Sequence, residues 1–397
     1  MLSPRRTVIC REGWYYLVVL ALVLGGAMFR EVNLLLLLAG IMAGPLWFSW
    51  QAVRRTLVGL QVERKVPHGV CAGDLLVTSL TLTNTRRRIG SWGVVVEDEI
   101  GRAAGDVGGK SRGQPPIRAE VLFPYIAAGR PQTGVYRGRL PQRGRYRLGP
   151  LRLSTRFPFG LFRRTISVGQ RETLTVFPRL GRLTRSWLRR HRESLAGTQR
   201  RERRAGLDGD VYGVRPWRSG DSRRWIHWRT SARAGELVVR QFEQPRNRDL
   251  AVLLDLWQPE RPTPEHLENV ELAVSFAATV VSDLCRRGNA DMLLGIGGPQ
   301  PQCIRGPASV ALLQDLMQRL AVAEAHGEDT LPELLTRAAG QIDPGTEVIV
   351  IGTRPSACGD ASRREAARQR LARRAGHREI RYLDAASDEL ARYYQPE

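Results

Sequence analysis

The first fifty residues contain two long stretches without a charged side chain. They cover residues 14–29 and 34–50, and only the tetrapeptide at residues 30–33 separates them. Each stretch is close to the length that a helix needs to cross the hydrocarbon of a bilayer. Neither has a polar face, which argues against a helical hairpin buried in a soluble core. The pattern predicts two transmembrane helices joined by a tight turn.

Basic residues around these stretches predict their orientation. Five arginines flank the pair on its outer sides: Arg5, Arg6, Arg11, Arg54 and Arg55. The turn between the helices contains only Arg30, which Glu31 offsets. Because segments rich in arginine stay on the cytoplasmic side, both termini are predicted to be cytoplasmic in a cell-membrane protein with two helices. A secretory signal peptide fits badly, since a second apolar run follows at once without a small-residue cleavage site.

Residues 57–180 contain short apolar and β-branched runs between turns rich in Gly, Pro and Arg. The clearest runs cover residues 75–83, 94–96, 134–138 and 145–153. Several short strands at such spacing are typical of an antiparallel sandwich, so an immunoglobulin-like β-sandwich is predicted here. The Gly- and Arg-rich residues 101–117 are predicted to form a loop.

Residues 250–397 alternate between buried-type strands and stretches with helical periodicity. Strands are predicted at residues 250–255, 291–297, 347–352 and 379–383, and helices at residues 264–287, 308–325 and 361–375. Apolar strands between helices predict an α/β domain with a parallel sheet covered on both faces. Ligands of such sheets bind beyond the carboxyl ends of the strands, which singles out Asp255 and Thr353.

Charge is concentrated in the segment that joins these two regions. The 397-residue chain has a net charge of +22, and residues 181–249 hold 18 arginines against 8 acidic residues. This basic connector favours an anionic partner. Nucleic acid and the anionic lipids of the cytoplasmic leaflet are both candidates.

No group of residues with catalytic spacing occurs in the sequence. The six histidines are scattered, and the five cysteines are far apart and form no CxxC pair, so a zinc site or disulfide framework is not indicated. The motifs GxSxG and GxxxxGK[ST] are absent. The sequence therefore predicts a protein that is not an enzyme and has no cofactor, with an uncharacterised enzyme as an alternative.

The most distinctive segment is the run at residues 214–243. It reads GD-x-x-R-x-I-x-W-x-x-S-A-R from Gly220 and E-L-V-V-R-x-F-E from Glu236. Asp221 or Ser222 is predicted to cap a helix, Gly235 to end it, and a strand to follow. Packing in a core and binding of a partner both remain open explanations of this run.

This run resembles the signature of the domain of unknown function 58 family, over about residues 205–256. The membrane hairpin and the β region also fit the layout of that family, although many relatives have Tyr at the position of Trp217. The resemblance implies a C-terminal domain similar to a von Willebrand factor A domain. It also implies a chaperone or assembly role beside a MoxR-type AAA+ ATPase. The residues expected to bind that partner are Arg215, Gly220, Asp221, Arg223, Arg224, Trp228 and Arg233.

A magnesium site is a further implication of the resemblance. Von Willebrand factor A domains usually bind Mg²⁺ through D-x-S-x-S after the first strand, where this chain reads Asp255-Leu256-Trp257-Gln258-Pro259. The aspartate is present, but Trp257 and Pro259 replace the two hydroxyl residues. Because Mg²⁺ prefers near-octahedral oxygen ligands, Asp255 is at most a degenerate metal site, and no bound Mg²⁺ is expected.

Together these patterns predict a multi-domain membrane protein. Its predicted parts are a transmembrane hairpin at residues 1–56, a β-sandwich at 57–180, a basic connector at 181–249 and a von Willebrand factor A-like α/β domain at 250–397. The expected function is a membrane-anchored interaction or assembly protein that works with a MoxR-type ATPase. Binding of nucleic acid or anionic lipid is the alternative.

Overall fold

A computed structural model describes most of the chain. The described residues are 6–30, 33–103, 116–187, 189, 211–219, 221–242, 249–288, 290–354, 361–375, 380–387 and 389–396. Several predicted features lie outside these residues. They are residues 31–32 at the centre of the predicted membrane turn, most of the predicted loop at 101–117, much of the basic connector, and Gly220 of the signature run. The chain divides into two compact units, one of residues 1–179 with 318–324 and one of residues 180–317 with 325–397.

Two apolar helices lie near the start of the first unit, as predicted. They are α1 (Arg11–Arg30) and α2 (Asn33–Thr56). Both are long and apolar enough to span a bilayer, and only 11% of the apolar window of each is buried. The hydroxyl of Tyr16 on α1 donates a hydrogen bond to the carbonyl of Met42 on α2, with an O–O distance of 2.9 Å. The helices therefore pair with each other and leave most of their apolar surface uncovered.

Two sheets form the rest of the first unit. The strands of the unit are β1 (Arg6–Ile9), β2 (Leu60–Lys65), β3 (Val70–Cys71), β4 (Leu75–Asn84), β5 (Ser91–Arg102), β6 (Ile117–Ile126), β7 (Pro131–Arg139), β8 (Gly144–Leu148), β9 (Leu151–Thr155), β10 (Phe162–Val168) and β11 (Glu172–Phe177). The larger sheet has the order β1-β10-β9-β5-β8-β11-β3, with β6 also paired to β5, and the smaller has the order β2-β4-β7. All of these pairs are antiparallel except β11 with β3.

The two sheets share one hydrophobic core. Burial alternates along β4, so that Leu76, Leu80 and Leu82 point inward, and they join buried side chains of the larger sheet such as Val94 and Leu153. This confirms the predicted sheet-rich domain, while its immunoglobulin-like arrangement stays a prediction. The single strand predicted at 145–153 is instead two strands, β8 and β9. The chain turns at Gly149, whose φ of 93° suits glycine, and at Pro150.

A buried ion pair joins the two sheets. The guanidinium of Arg64 on β2 donates to both carboxylate oxygens of Asp98 on β5, at 2.8 and 3.0 Å. The hydroxyl of Tyr136 on β7 donates to the same carboxylate at 2.7 Å. Burial is the main cause that raises the pKa of Tyr136, so this phenol stays a donor. Because the two opposite charges contact each other, the pair is buried without an unmatched charge.

The second unit is built around a five-stranded mixed sheet. The described strands of the whole unit are β12 (Gly181–Leu183), β13 (Val211–Pro216), β14 (Val238–Phe242), β15 (Leu250–Asp255), β16 (Asp291–Ile296), β17 (Gln302–Pro307), β18 (Glu347–Gly352), β19 (Arg381–Asp384) and β20 (Tyr394–Pro396). The large sheet has the order β17-β16-β15-β18-β19. The predicted strands β15, β16, β18 and β19 run parallel, but β17 is an antiparallel edge strand, so the expectation of a wholly parallel sheet is wrong. Residues 302–307 lack the long apolar run of the central strands because an edge strand needs less burial.

Six helices are described in this unit or begin in it. They are α3 (Trp228–Ala234), α4 (Pro264–Arg287), α5 (Val310–Ala321), α6 (Leu331–Ala339), α7 (Ala361–Arg374) and α8 (Glu389–Tyr393). The predicted helix at 264–287 is confirmed as α4, with the Thr263 side chain capping its start and Gly288 following its end. Helix α6 was not predicted from the sequence, because its nine residues are fewer than the roughly ten to twelve that distinguish a helical pattern from a short apolar run.

The start of the basic connector is part of this second unit. Strand β12 pairs with β20 near the C-terminus. Trp187 lies with its ring centroid 5.2 Å from that of Phe276 on α4 and 6.0 Å from that of Tyr393. Residues 181–187 are therefore held by packing and do not form a free linker.

Candidate functional site

The signature run folds as a hairpin with an insertion between its strands. Strands β13 and β14 pair antiparallel, with Arg215 opposite Val239 and Pro216 opposite Val238. The N–H of Trp217 donates to the carbonyl of Leu237 at 2.7 Å, which extends the ladder by one bond. The inserted residues form a 3-10 turn at Arg223–Trp225 and then α3. All signature side chains that the structure describes are thus carried by one small element, called the signature hairpin below (residues 211–242).

Asp221 makes an ion pair with Arg215 and does not cap a helix. The two guanidinium nitrogens of Arg215 donate to the two carboxylate oxygens of Asp221, each at 2.7 Å. The N–H of Arg218 adds a third hydrogen bond at 2.9 Å. The hydrogen bonds from Arg215 and then Arg218 hold the pKa of Asp221 below its ordinary value, and the same pair raises the pKa of Arg215. This bidentate contact holds Asp221 against the end of β13.

Helix α3 begins later than the sequence predicts, because His227 and not Asp221 or Ser222 caps it. The Nδ1 of His227 accepts the N–H of Thr230 at 3.2 Å, while Ser222 makes no side-chain capping bond. Trp225 therefore lies in the 3-10 turn and outside α3. The predicted end at Gly235 is confirmed, with a φ of 71° that suits glycine.

Ser231 connects α3 to strand β14. Its buried hydroxyl accepts the N–H of Val238 at 2.9 Å and donates to a backbone carbonyl, either that of His227 at 3.2 Å or that of Val238 at 3.3 Å. Ile226, Val238 and Val239 are buried beneath it. These contacts fill the inner side of the hairpin, so the serine of the signature has a structural position.

Several aromatic and basic side chains of the hairpin are exposed. Trp228 is 67% exposed, and Trp217 and Trp225 are also exposed. Arg223, Arg224 and Arg233 are exposed too, and no described residue forms an ion pair with any of them. These six side chains, Trp217, Arg223, Arg224, Trp225, Trp228 and Arg233, are called the signature surface below. Of the other predicted binding residues, Arg215 and Asp221 support this surface by pairing with each other.

The second candidate site lies at the carboxyl ends of β15 and β18, where Asp255 and Thr353 meet as predicted. Asp255 is only 2% exposed, and its carboxylate lies 3.9 Å from the Nε of Arg354. Arg354 also contacts Asp329 at 3.0 Å, and Arg364 contacts the same Asp329 at 3.1 Å. Burial raises the pKa of Asp255, and the charge of Arg354 offsets part of that effect. Sequence reasoning missed Arg354, Asp329 and Arg364, because they come from three separate segments.

The atoms around Asp255 do not fit a magnesium ion. The hydroxyl of Thr353 accepts the N–H of Trp257 at 2.8 Å and donates to the carbonyl of Trp257 at 2.7 Å, so both its bonding directions are used. The guanidinium of Arg354 lies where a cation would face Asp255, and its carbon sits 5.4 Å from the Trp257 ring centroid. Among the described residues, no group of three or more His, Cys, Asp or Glu side chains has the geometry of a metal site.

The chain was compared with known proteins and solved structures. Residues 213–339 match the family model described as protein of unknown function DUF58. The uncharacterized protein YeaD of Bacillus subtilis (strain 168) is 24% identical over 236 residues, which cover 58% of this chain and 56% of that protein. The chain therefore spans little more than half the length of this relative.

Solved structures are similar only at a low level. The CARDB domain of PF1109 from Pyrococcus furiosus, in complex with di-metal ions, is 14% identical, with a TM-score of 0.19, over 30% of this chain and 91% of that one. The alkylpurine DNA glycosylase AlkC of Pseudomonas fluorescens, bound to DNA, is 15% identical, with a TM-score of 0.21, over 40% and 42%. Neither likeness carries an argument about this chain. The match over residues 213–339 confirms the resemblance read from the signature.

Proposed function

We propose that this chain is a membrane-anchored interaction or assembly protein that binds a protein partner through its signature surface. The observation that carries the proposal is the exposure of Trp228 on the same hairpin as Arg223, Arg224 and Arg233, which form no ion pair with any residue that the structure describes. Trp and Arg are the residues that most often dominate binding energy at protein interfaces. A rigid element that presents them to solvent is suited to docking.

The charge of the surface favours an acidic partner. Arg223, Arg224 and Arg233 add three positive charges within about ten residues, and the whole chain has a net charge of +22. Complementary charge speeds association and selects partners of opposite sign. A MoxR-type AAA+ ATPase with an acidic docking face is the partner we propose, on the basis of the family resemblance.

The second unit supports the same proposal through its architecture. A sheet of the order β17-β16-β15-β18-β19 with helices between its strands is compatible with the von Willebrand factor A-like domain that the resemblance implies. We propose that partner binding by the signature surface needs no metal ion in this domain, since Arg354 supplies the positive charge beside Asp255. The proposal is non-enzymatic, and we expect Asp255→Ala to leave partner binding unchanged.

The test is partner capture from the protein's own membranes. The tagged full chain is crosslinked, extracted in mild detergent and purified, and its partners are identified by mass spectrometry. A triple variant, Arg223→Glu, Arg224→Glu and Arg233→Glu, is compared with a control that changes three exposed arginines of α7, Arg370, Arg373 and Arg374, to Glu.

We expect a AAA+ ATPase to co-purify with the wild type and the α7 control and to be lost from the signature variant. Loss from both variants would mean that only total charge matters. Recovery of nucleic acid alone, with an affinity that falls steeply with salt, would replace the proposal by the nucleic-acid alternative. Recovery of lipid alone would equally overturn the partner proposal.

A further inference from the structure

We infer that the end of the β-sandwich nearest the two helices is itself a membrane-binding surface, which places Phe159 in the interfacial layer of the bilayer. The surface consists of the rings of Trp92, Tyr125, Phe157 and Phe159 and is called the proximal surface below. The inference rests on the proposed membrane anchoring by α1 and α2. It adds the β-sandwich to these two helices as a third part of the chain that contacts lipid.

The sandwich is bonded directly to the last turn of α2. The free carbonyls at a helix end need donors. Here the guanidinium of Arg164 donates to the carbonyl of Arg54 at 2.7 Å, and that of Arg86 donates to the carbonyl of Arg55 at 2.9 Å. The hydroxyl of Ser91 donates to the carbonyl of Thr56 at 2.8 Å. Three separate contacts therefore leave no flexible spacer between the helix and the domain.

Helix α1 is fixed to the same end of the sandwich. Strand β1, which precedes it, pairs with β10, with Ile9 opposite Phe162. The N–H of Cys10 donates to the carbonyl of Leu161 at 2.9 Å. Val53 of α2 shares a small buried cluster with Leu161 and Phe162. The turn at residues 156–161 is thus held against both helices.

Ring contacts give the depth of this turn relative to α2. The ring of Phe159 lies 6.4 Å from that of Phe48, and the ring of Phe162 lies 5.5 Å from that of Trp50. Phe48 and Trp50 end the uncharged stretch of α2, and Arg54 follows Phe48 by six residues, or about 9 Å along a helix axis. Phe159 therefore lies level with residues that a spanning α2 would place at the border of the hydrocarbon.

Three of the four rings of the proximal surface are exposed although they are large and apolar, and Phe157 is half-buried. Phe159 is 54% exposed, Trp92 48% and Tyr125 43%. Trp92 stacks on Phe157 with centroids 5.8 Å apart and its centroid lies 4.3 Å from that of Tyr125, so these three rings adjoin. Phe159 follows Phe157 by two residues in the turn at residues 156–161. Exposed apolar patches mark binding surfaces, and Trp and Tyr favour the level of the lipid headgroups.

Positive charge surrounds this patch. Arg87, Arg88 and Arg156 are exposed in the loops next to it, and Arg54 and Arg55 are exposed at the end of α2. Aromatic rings bordered by arginines match the apolar and anionic layers of a cytoplasmic leaflet. A protein partner would explain the rings as well, but not their position level with the ends of both helices.

The experiment is photo-crosslinking of the full chain in its native membrane. The photoreactive amino acid p-benzoylphenylalanine, close in shape to Phe, replaces Phe159 in one variant, and lipid adducts are detected by mass spectrometry. Gln170 serves as the matched control, because it is exposed in the same unit and follows the opposite end of β10, roughly 20 Å further on. Ile41, exposed in the middle of α2, reports on membrane spanning by itself. A variant at Trp92 repeats the test should the Phe159 variant fold poorly.

We expect about tenfold more lipid adduct at Phe159 than at Gln170, because only the first position reaches the bilayer interface. Adducts at Ile41 but none above the Gln170 level at Phe159 and Trp92 would overturn this inference and leave the anchoring intact. No lipid adduct at Ile41 would overturn the anchoring itself, and the inference with it. Protein adducts in place of lipid at Phe159 would show that a partner covers the surface, which also contradicts the inference.

Discussion

Asp221 forms an ion pair with Arg215, although its position in the sequence suggests a helix cap. This ion pair makes the stability of the loop that follows β13 depend on pH. Its pKa is lowered by Arg215 and Arg218, below the ordinary value of about 3.9. The ion pair therefore contributes fully at neutral pH and is lost as the pH falls through the lowered pKa. We expect Asp221→Asn to speed amide exchange, corrected for intrinsic rates, across residues 217–227 at pH 7.

In the wild type, amide exchange across these residues should become as fast as in Asp221→Asn only below about pH 4, where an ordinary aspartate is protonated. Asp283→Asn is the control, because Asp283 pairs with Arg287 on the exposed face of α4 and does not touch the hairpin. Unchanged exchange in Asp221→Asn at pH 7 would show that the Arg215 pair does not hold the loop.

Arg354 is the second residue whose role follows from its surroundings. Its removal leaves the buried carboxylate of Asp255 without a facing charge, so Arg354→Met should destabilise the protein by about 3 kcal/mol at pH 8. Burial already raises the pKa of Asp255, and a folded-state pKa above the unfolded value means that stability is regained as the pH falls. The loss should thus shrink between pH 8 and pH 5.

Thermal unfolding of the detergent-solubilised chain at both pH values measures this effect. Arg368→Met is the control, since Arg368 is exposed and pairs with Glu365 on the surface of α7. An equal loss at the two pH values would contradict the assignment of the cost to Asp255.

At the scale of elements, Gly13 decides how closely α1 approaches the sandwich. A Cβ at this position would lie 2.3 Å from the carbonyl oxygen of Leu161 and 2.8 Å from the Cγ2 of Ile9. Gly25, on the same helix, has nothing within 4 Å of its would-be Cβ. We expect Gly13→Ala to destabilise the first unit by about 1–3 kcal/mol through overpacking.

Gly25→Ala should be neutral or slightly stabilising, because alanine is the better helix former. The two variants carry the same chemical change on one helix, so a difference in melting temperature in detergent isolates the contact with Leu161. Equal melting temperatures would show that α1 is not packed closely against that turn.

At the scale of the whole molecule, the distribution of arginine predicts the topology. With both termini cytoplasmic, the turn between α1 and α2 faces the outside and the β-sandwich faces the cytoplasm. We expect Asn33→Cys to react with a membrane-impermeant maleimide in intact cells, while Gln170→Cys reacts only after lysis. The background is a variant with all five native cysteines changed to Ala. The reverse labelling pattern would place the termini outside.

Local sequence was sufficient for the elements whose signal is periodic or compositional. The uncharged stretches predicted α1 and α2, the run at residues 250–255 predicted β15, and the helical spacing of apolar residues over 264–287 predicted α4. In each case the free energy that selects the element comes from burial of one face or from caps within a few residues. The family signature could likewise be read directly, because it is itself a local pattern.

Contacts between distant segments decided what the sequence could not. Asp221 has the residue type of a helix cap, but Arg215 on β13 takes its carboxylate, and His227 caps α3 instead. Arg354, Asp329 and Asp255 meet only because the sheet brings three separate loops to one edge. The exposure of Trp228 and of Phe159 also depends on tertiary packing, since an apolar ring reads the same in a core and on a binding surface. The sequence by itself thus determined the two apolar helices, the order of a β-rich unit before an α/β unit and the resemblance of the signature segment, whereas the tertiary structure decided which polar groups pair and which rings remain outside.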